Sequence, residues 1–207
     1  MNNTFFTSND GYTCFVYVDQ LDEEKESDKK LIDILDEIVV IKTEDDEDIN
    51  KQAVASVKNK KSETTKKVVD IAVSFFNKAG LEVNENVGSI LYTSYDYNSS
   101  KYADYDGWVD SYTSGNHVDT CTHQCIIVTK KGENLKGGDI QVYKKDPETF
   151  LNYIGYEQEE KNIYELKTGS VLVFSGETVY KPQSFKGNGY FNFITVSLKD
   201  KNAVIYE

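Results

Sequence analysis

From Gly80 onward, short runs of β-branched and aromatic residues alternate with Gly, Asn, Asp and Pro. Residues 89–94, 124–129, 139–143, 170–174 and 190–197 each read as a strand, and chain turns separate them. Ahead of them the pattern is helical. Between residues 62 and 79 the apolar side chains Val68, Ile71, Ala72, Phe75, Phe76 and Ala79 fall on one face, Ser62 is placed to cap the start, and Gly80 to end it. A shorter helix is expected over 27–38, where Leu31, Ile34, Leu35 and Ile38 recur behind a Ser/Asp start. Residues 11–19, rich in aromatic and β-branched types, read as a first strand. The expectation is an α+β, mainly β fold: a jelly roll with N-terminal helices on one outer face. It is one domain over 1–207, with 1–80 as helical support and first strand and 81–207 as jelly-roll core.

The acidic run at 43–48 reads as a solvated loop between layers. The tract 95–115, polar with aromatic insertions, reads as a loop, either over a cleft mouth or packed on the surface.

Charge narrows the partners. The formal net charge is −12, from 35 acidic against 23 basic residues, so a polyphosphate backbone is repelled and nucleic acid is not expected. All the basic residues are Lys; without Arg the chain has no planar fork for a carboxylate. No apolar run approaches the ~18 residues of a membrane span, and no membrane partner is expected. The three Cys suit reduced thiols, because Cys121 and Cys125 on one extended strand lie about 13 Å apart, beyond disulfide reach. The chain therefore reads as a soluble, intracellular protein.

Both histidines lie in H-V-D-T-C-T-H-Q-C, residues 117–125, where His117, Asp119, Cys121, His123 and Cys125 alternate with other residues. On a strand they share a face but span about 26 Å, so one ion reaches two neighbours, not five. No C-x-x-C pair supports zinc, and the cysteines read as small buried residues. His117 and Asp119 form the better pair, giving two thirds of the two-His, one-carboxylate triad of a non-haem iron site. Taken alone, His117 reads more readily as a structural histidine bonded to Asp119 or to backbone than as a ligand.

The flanking sequence carries a resemblance. H-V-D (117–119), C-I-I-V-T (125–129), L-K-G-G-D-I-Q-V-Y (135–143) and K-T-G-S-V-L-V-F (167–174) follow one another as in the 2-oxoglutarate/Fe(II)-dependent oxygenases of the prolyl 4-hydroxylase type. The chain resembles that family over residues 88–200, which implies a double-stranded β-helix holding Fe(II) and 2-oxoglutarate. It departs from the family pattern twice. The position six residues past Phe174, where a distal His is expected, is Tyr180. The positions nine and ten beyond Tyr180, where a basic residue would hold the far carboxylate of 2-oxoglutarate, are Gly189 and Tyr190, leaving Lys186 or Lys199 as substitutes.

Two functions follow. One is an oxygenase scaffold that has lost standard catalysis and binds a protein partner; the Asn/Lys/Tyr-rich, Arg-free composition suits an AT-rich genome and a viral host-interaction role. The other is a divergent hydroxylase in which His117, Asp119 and Tyr180 hold iron and Tyr92 or other aromatics line the pocket.

Overall fold

A computed structural model describes residues 2–7, 13–44, 50–59, 62–96, 116–117, 122–143, 161–176, 178–183 and 185–203. The acidic run from 45 onward and most of the tract 95–115 lie outside them. In chain order the strands are β1 (Asn2–Thr7), β2 (Thr13–Gln20), β3 (Asn50–Ser56), β4 (Val83–Asp96), β5 (Asn116–His117), β6 (Thr122–Lys131) and β7 (Lys136–Gly137). They continue as β8 (Ile140–Tyr143), β9 (Lys161–Tyr164), β10 (Ser170–Phe174), β11 (Val179–Pro182), β12 (Phe185–Lys186) and β13 (Tyr190–Asp200). The helices are α1 (Glu26–Lys42) and α2 (Glu63–Ala79).

Seven strands form a major sheet in the order β1-β2-β10-β6-β13-β4-β3, and four form a minor sheet in the order β5-β11-β8-β9. Every pair is antiparallel. From β4 onward the chain passes between the sheets, β4 major, β5 minor, β6 major, β8 and β9 minor, β10 major, β11 minor, β13 major. That path is the double-stranded β-helix, a jelly roll. The first 80 residues add three strands to the major sheet, not one, so they extend the barrel wall as well as support it.

The major sheet is covered on both faces, and the pleat sorts its side chains between two cores. Ile90, Tyr92, Cys125, Ile127, Val171, Val173, Ile194 and Val196 pack with the helices. Tyr95, Ile126, Val128, Leu172, Phe174 and Phe191 face the minor sheet, where Ile140, Val142 and Tyr180 meet them. All five residues of β10 are buried, as a strand with no solvent face requires.

α2 forms as its caps dictate: Ser62 Oγ accepts from the Thr65 N–H, and Gly80 closes the helix at φ +81°. α1 differs from expectation. Lys25 precedes it with no side-chain cap, Ser27 and Asp28 sit inside the first turn, and the fully buried line is Ile32, Leu35 and Val39. The half-buried Asp36 turns that face: its Oδ1 accepts from the Thr129 hydroxyl at 2.8 Å and from Asn192 Nδ2 at 2.9 Å. Ser94 Oγ donates in turn to Asn192 Oδ1 at 2.8 Å. This polar seam fixes where α1 sits on β4, β6 and β13. No helix among the described residues is long and apolar enough to cross a membrane.

Candidate functional site

Between the two sheets lies a cavity of about 370 Å³. The inward residues of three neighbouring major-sheet strands form its floor: Leu91 and Thr93 on β4, Phe193 and Thr195 on β13, and Gln124 and Ile126 on β6. Ile140, Tyr180 and Pro182 of the minor sheet close it from above. Tyr95, Phe185, Phe191 and Phe193 pack together at one end, with ring centroids 5.1–6.3 Å apart. Among the described residues no Lys, His, Asp or Glu lines this space. A dianion such as 2-oxoglutarate, moved from water into this space, would meet no counter-charge from the described residues.

Tyr180, six residues past Phe174, where the resemblance expects a distal His, faces the barrel interior. Its ring lies parallel on Phe174 with centroids 4.7 Å apart, and its hydroxyl donates to Gln124 Oε1 at 2.6 Å. The side chain thus ties β11 of one sheet to β6 and β10 of the other. Ligation of iron would require this hydroxyl to leave Gln124 and give up its proton.

β11 pairs with β5, Tyr180 opposite Asn116 and Val179 opposite His117. The described structure carries His117 only as backbone, and Asp119 lies outside the described residues. Among the described residues there is no group of three His, Cys, Asp or Glu arranged to hold a metal. The candidate ligand pair His117 and Asp119 thus lies beyond what the described side chains test.

The remaining candidates sort by strand parity. Tyr92 does not line the cavity: it points to the helices, because inward positions on β4 are odd-numbered and Tyr92 is even. Its hydroxyl is buried without a partner among the described residues, and burial pushes its pKa up to about 12. Lys186, on β12 opposite Lys136, and Lys199, near the end of β13, are half-buried, and neither is among the cavity's lining residues. Gly189 leads into β13, and the Tyr190 ring is exposed under the Lys130 ammonium.

His123 and Cys125 also face the helical side. Gly176 N–H donates to His123 Nδ1 at 2.9 Å, so the ring proton sits on Nε2, 3.2 Å from Asp200 Oδ2. His123 is a structural clamp between the turn after β10 and the end of β13. Cys125 is fully buried, and desolvation holds its thiol strongly protonated, as for an inert core residue.

Sequence reasoning missed Thr93 and Gln124. Thr93 is fully buried on the cavity floor, and its Oγ1 has no hydrogen-bond partner among the described residues. Nothing in the sequence marks it, because an orphan hydroxyl is a property of the packed neighbourhood.

The orphan on Tyr92 carries a prediction. Tyr92→Phe removes a buried unpaired hydroxyl and should stabilise the protein by about 1–2 kcal/mol at pH 8. Unfolded tyrosine ionises near pH 10, whereas Tyr92 in the fold holds its proton to about 12. The fold therefore loses stability as pH rises from 10 through 12, and the variant should lose roughly 2–3 kcal/mol less over that window. Urea midpoints at pH 8 and pH 11 for both proteins check this, with roughly half of that difference, about 1.4 kcal/mol, developed by pH 11.

No family model matches the sequence, and no curated protein matches it. Solved structures do. The chain is similar to the crystal structure of IDO from Bacillus thuringiensis, at 10% identity and TM-score 0.56, covering 90% of this chain and 93% of that one. It is similar to a Pseudomonas putida prolyl-4-hydroxylase, at 9% identity and TM-score 0.53, over 91% and 93% of the two chains. The chain has the 2-oxoglutarate/Fe(II) oxygenase fold. A third likeness within that fold is the non-heme alpha ketoglutarate dependent carbocyclase SnoK of nogalamycin biosynthesis, at 13% identity and TM-score 0.51, over 89% and 79%. At such identities the oxygenase fold is what is shared.

Proposed function

We propose that this chain uses the oxygenase scaffold for binding, without turnover of 2-oxoglutarate, and that its partner is a protein. The observation that supports the reading is the engagement of Tyr180: where the resemblance expects a distal His, this buried side chain hydrogen-bonds Gln124, in a cavity whose described walls hold no cation. The formal charge of −12 favours a partner with a basic surface. Composition suited to an AT-rich genome fits a viral protein meeting an intracellular host partner.

The pairing of β5 with β11 favours a second reading, because it brings the His117 backbone beside the strand of Tyr180. In that reading His117, Asp119 and Tyr180 hold Fe(II), Lys186 or Lys199 reaches 2-oxoglutarate, and the chain hydroxylates a protein side chain. Succinate release separates the two. Protein given Fe(II), 2-oxoglutarate and oxygen should release no succinate above a heat-denatured control. Sustained release that Asp119→Ala abolishes would overturn the binding reading.

A further inference from the structure

β3 closes the major sheet at one edge, with β4 its single neighbour among the described residues. A sheet edge presents a row of backbone N–H and C=O groups, and it pairs with another strand unless something blunts it. The other edges of the two larger sheets are blunted. β1 carries a register shift between Thr4 and Phe6, β5 is two residues long and β9 four. β3 has none of these devices: its seven residues pair with β4 in unbroken register from Asn50 to Ser56, without Pro or Gly. Its one charged side chain, Lys51, is half-buried and lines a hollow shared with Glu44 and Asp96. Val54, β-branched and suited to a strand, is 74% exposed, more than any other large apolar residue among those described.

The charges at the two ends of the strand point to what pairs with it. Glu44 to Asp48 are five acids in succession ahead of β3, and Lys58, Lys60 and Lys61 follow it. Asp48 and Lys58 each stand two residues beyond an end of the strand, within about 7 Å of it whatever path the chain takes. A second copy of β3 running antiparallel sets the acidic end of each strand against the basic end of the other, whereas a parallel copy sets like on like. We propose that two copies of this chain associate through antiparallel pairing of their β3 edges, across a two-fold axis at Val54. Val54 then meets Val54 of the second copy, Gln52 meets Ser56, and Ala53 meets Ala55. The formal charge of −12 on each chain opposes association. In 0.15 M salt the Debye length of about 8 Å screens that repulsion between bodies far more than the close charges at the strand ends. Gln52 and Val54 also line the barrel cavity, so the second copy's β3 stands beside it. Pairing at this edge does not depend on whether the cavity turns over 2-oxoglutarate.

Sedimentation equilibrium of the full chain in 0.15 M salt is the test. A dimer with a dissociation constant on the order of 10 µM is expected, since a seven-residue edge buries little side-chain area. Val54→Lys places an edge charge at a side chain already in solvent and should weaken the dimer at least about tenfold. Lys58→Glu and Asp48→Lys should each weaken it roughly three- to tenfold, because each contact occurs twice in a two-fold dimer. The double variant reverses both ends and should recover most of that loss. Val54→Cys sets two Cβ atoms about 4.5–5.5 Å apart across the axis and should give a disulfide-linked dimer on mild oxidation, where the unmodified protein does not. Ile163→Cys, 55% exposed on the β9 edge, should stay unlinked. A monomer at about 200 µM leaves the edge to a strand of another protein or to none, and overturns the inference. So does a dimer that Val54→Lys leaves intact, that Val54→Cys does not link more readily than Ile163→Cys, or whose two charge-reversal losses simply add.

Discussion

Phe174→Ala lowers the stability of the fold by about 3–5 kcal/mol, read as a shift of the urea midpoint at unchanged slope. Phe174 is fully buried at the end of β10, between β2 and β6, and its ring is the surface on which Tyr180 stacks. Truncation removes the transfer energy of a whole ring and leaves a void that stiff strands on either side cannot close. Tyr180 loses its stacking partner as well, while its hydrogen bond to Gln124 remains. Tyr180→Phe keeps the stack and deletes the hydroxyl, leaving Gln124 to find another donor; it should cost only about 1 kcal/mol. A ratio near three or more between the two variants says that Tyr180 is held chiefly as a packing residue.

Gly138→Ala should cost about 2–4 kcal/mol, from two sources that can be separated. The backbone sits at φ +70°, where an L side chain pays a steric penalty whatever surrounds it. The added Cβ would also stand 2.0 Å from Phe185 Cε1. That ring cannot swing away, since Tyr95 and Phe191 pack on it at 5.3 and 5.2 Å. Phe185→Leu in the Gly138→Ala background should recover the clash and leave the φ penalty, giving a coupling of about 1–2 kcal/mol in a double-mutant cycle. Additive effects would mean that Gly138 is required by its turn alone.

The Gly-Gly pair was legible as a turn, but not its second reason. Sequence shows that positive φ is needed there; only the packed barrel shows a phenylalanine ring occupying the place of the missing side chain. α2 was legible to the residue because amphipathic period and both caps agree. Strands β4, β6, β8, β10 and β13 were legible because they are apolar and bounded by turn residues. β3 was not, since its run N-K-Q-A-V-A-S, at a sheet edge, is polar then small, with one β-branched residue and no aromatic one. β9 and β11 are four residues each, too short for periodicity to register.

The candidate site was legible in order along the chain and not in parity. Six residues from Phe174 correctly lead to an inward-facing Tyr180, because the turn and strand lengths are those of the fold. Tyr92 was assigned to the wrong face. β4 is buried on both sides, so Leu91, Tyr92 and Thr93 show no alternation of apolar and polar types, and without alternation a one-residue choice of face is undetermined. The same absence hid Thr93, whose buried hydroxyl has no partner among the described residues.

We propose that this barrel keeps the oxygenase fold while its interior does not accept 2-oxoglutarate. Titrating 2-oxoglutarate into the protein, calorimetrically, under anaerobic conditions and with Fe(II) present, tests it most directly. No saturable heat is expected up to millimolar 2-oxoglutarate, and the same trace for Asp119→Ala. A one-to-one isotherm that Asp119→Ala or Tyr180→Phe weakens tenfold or more would contradict it.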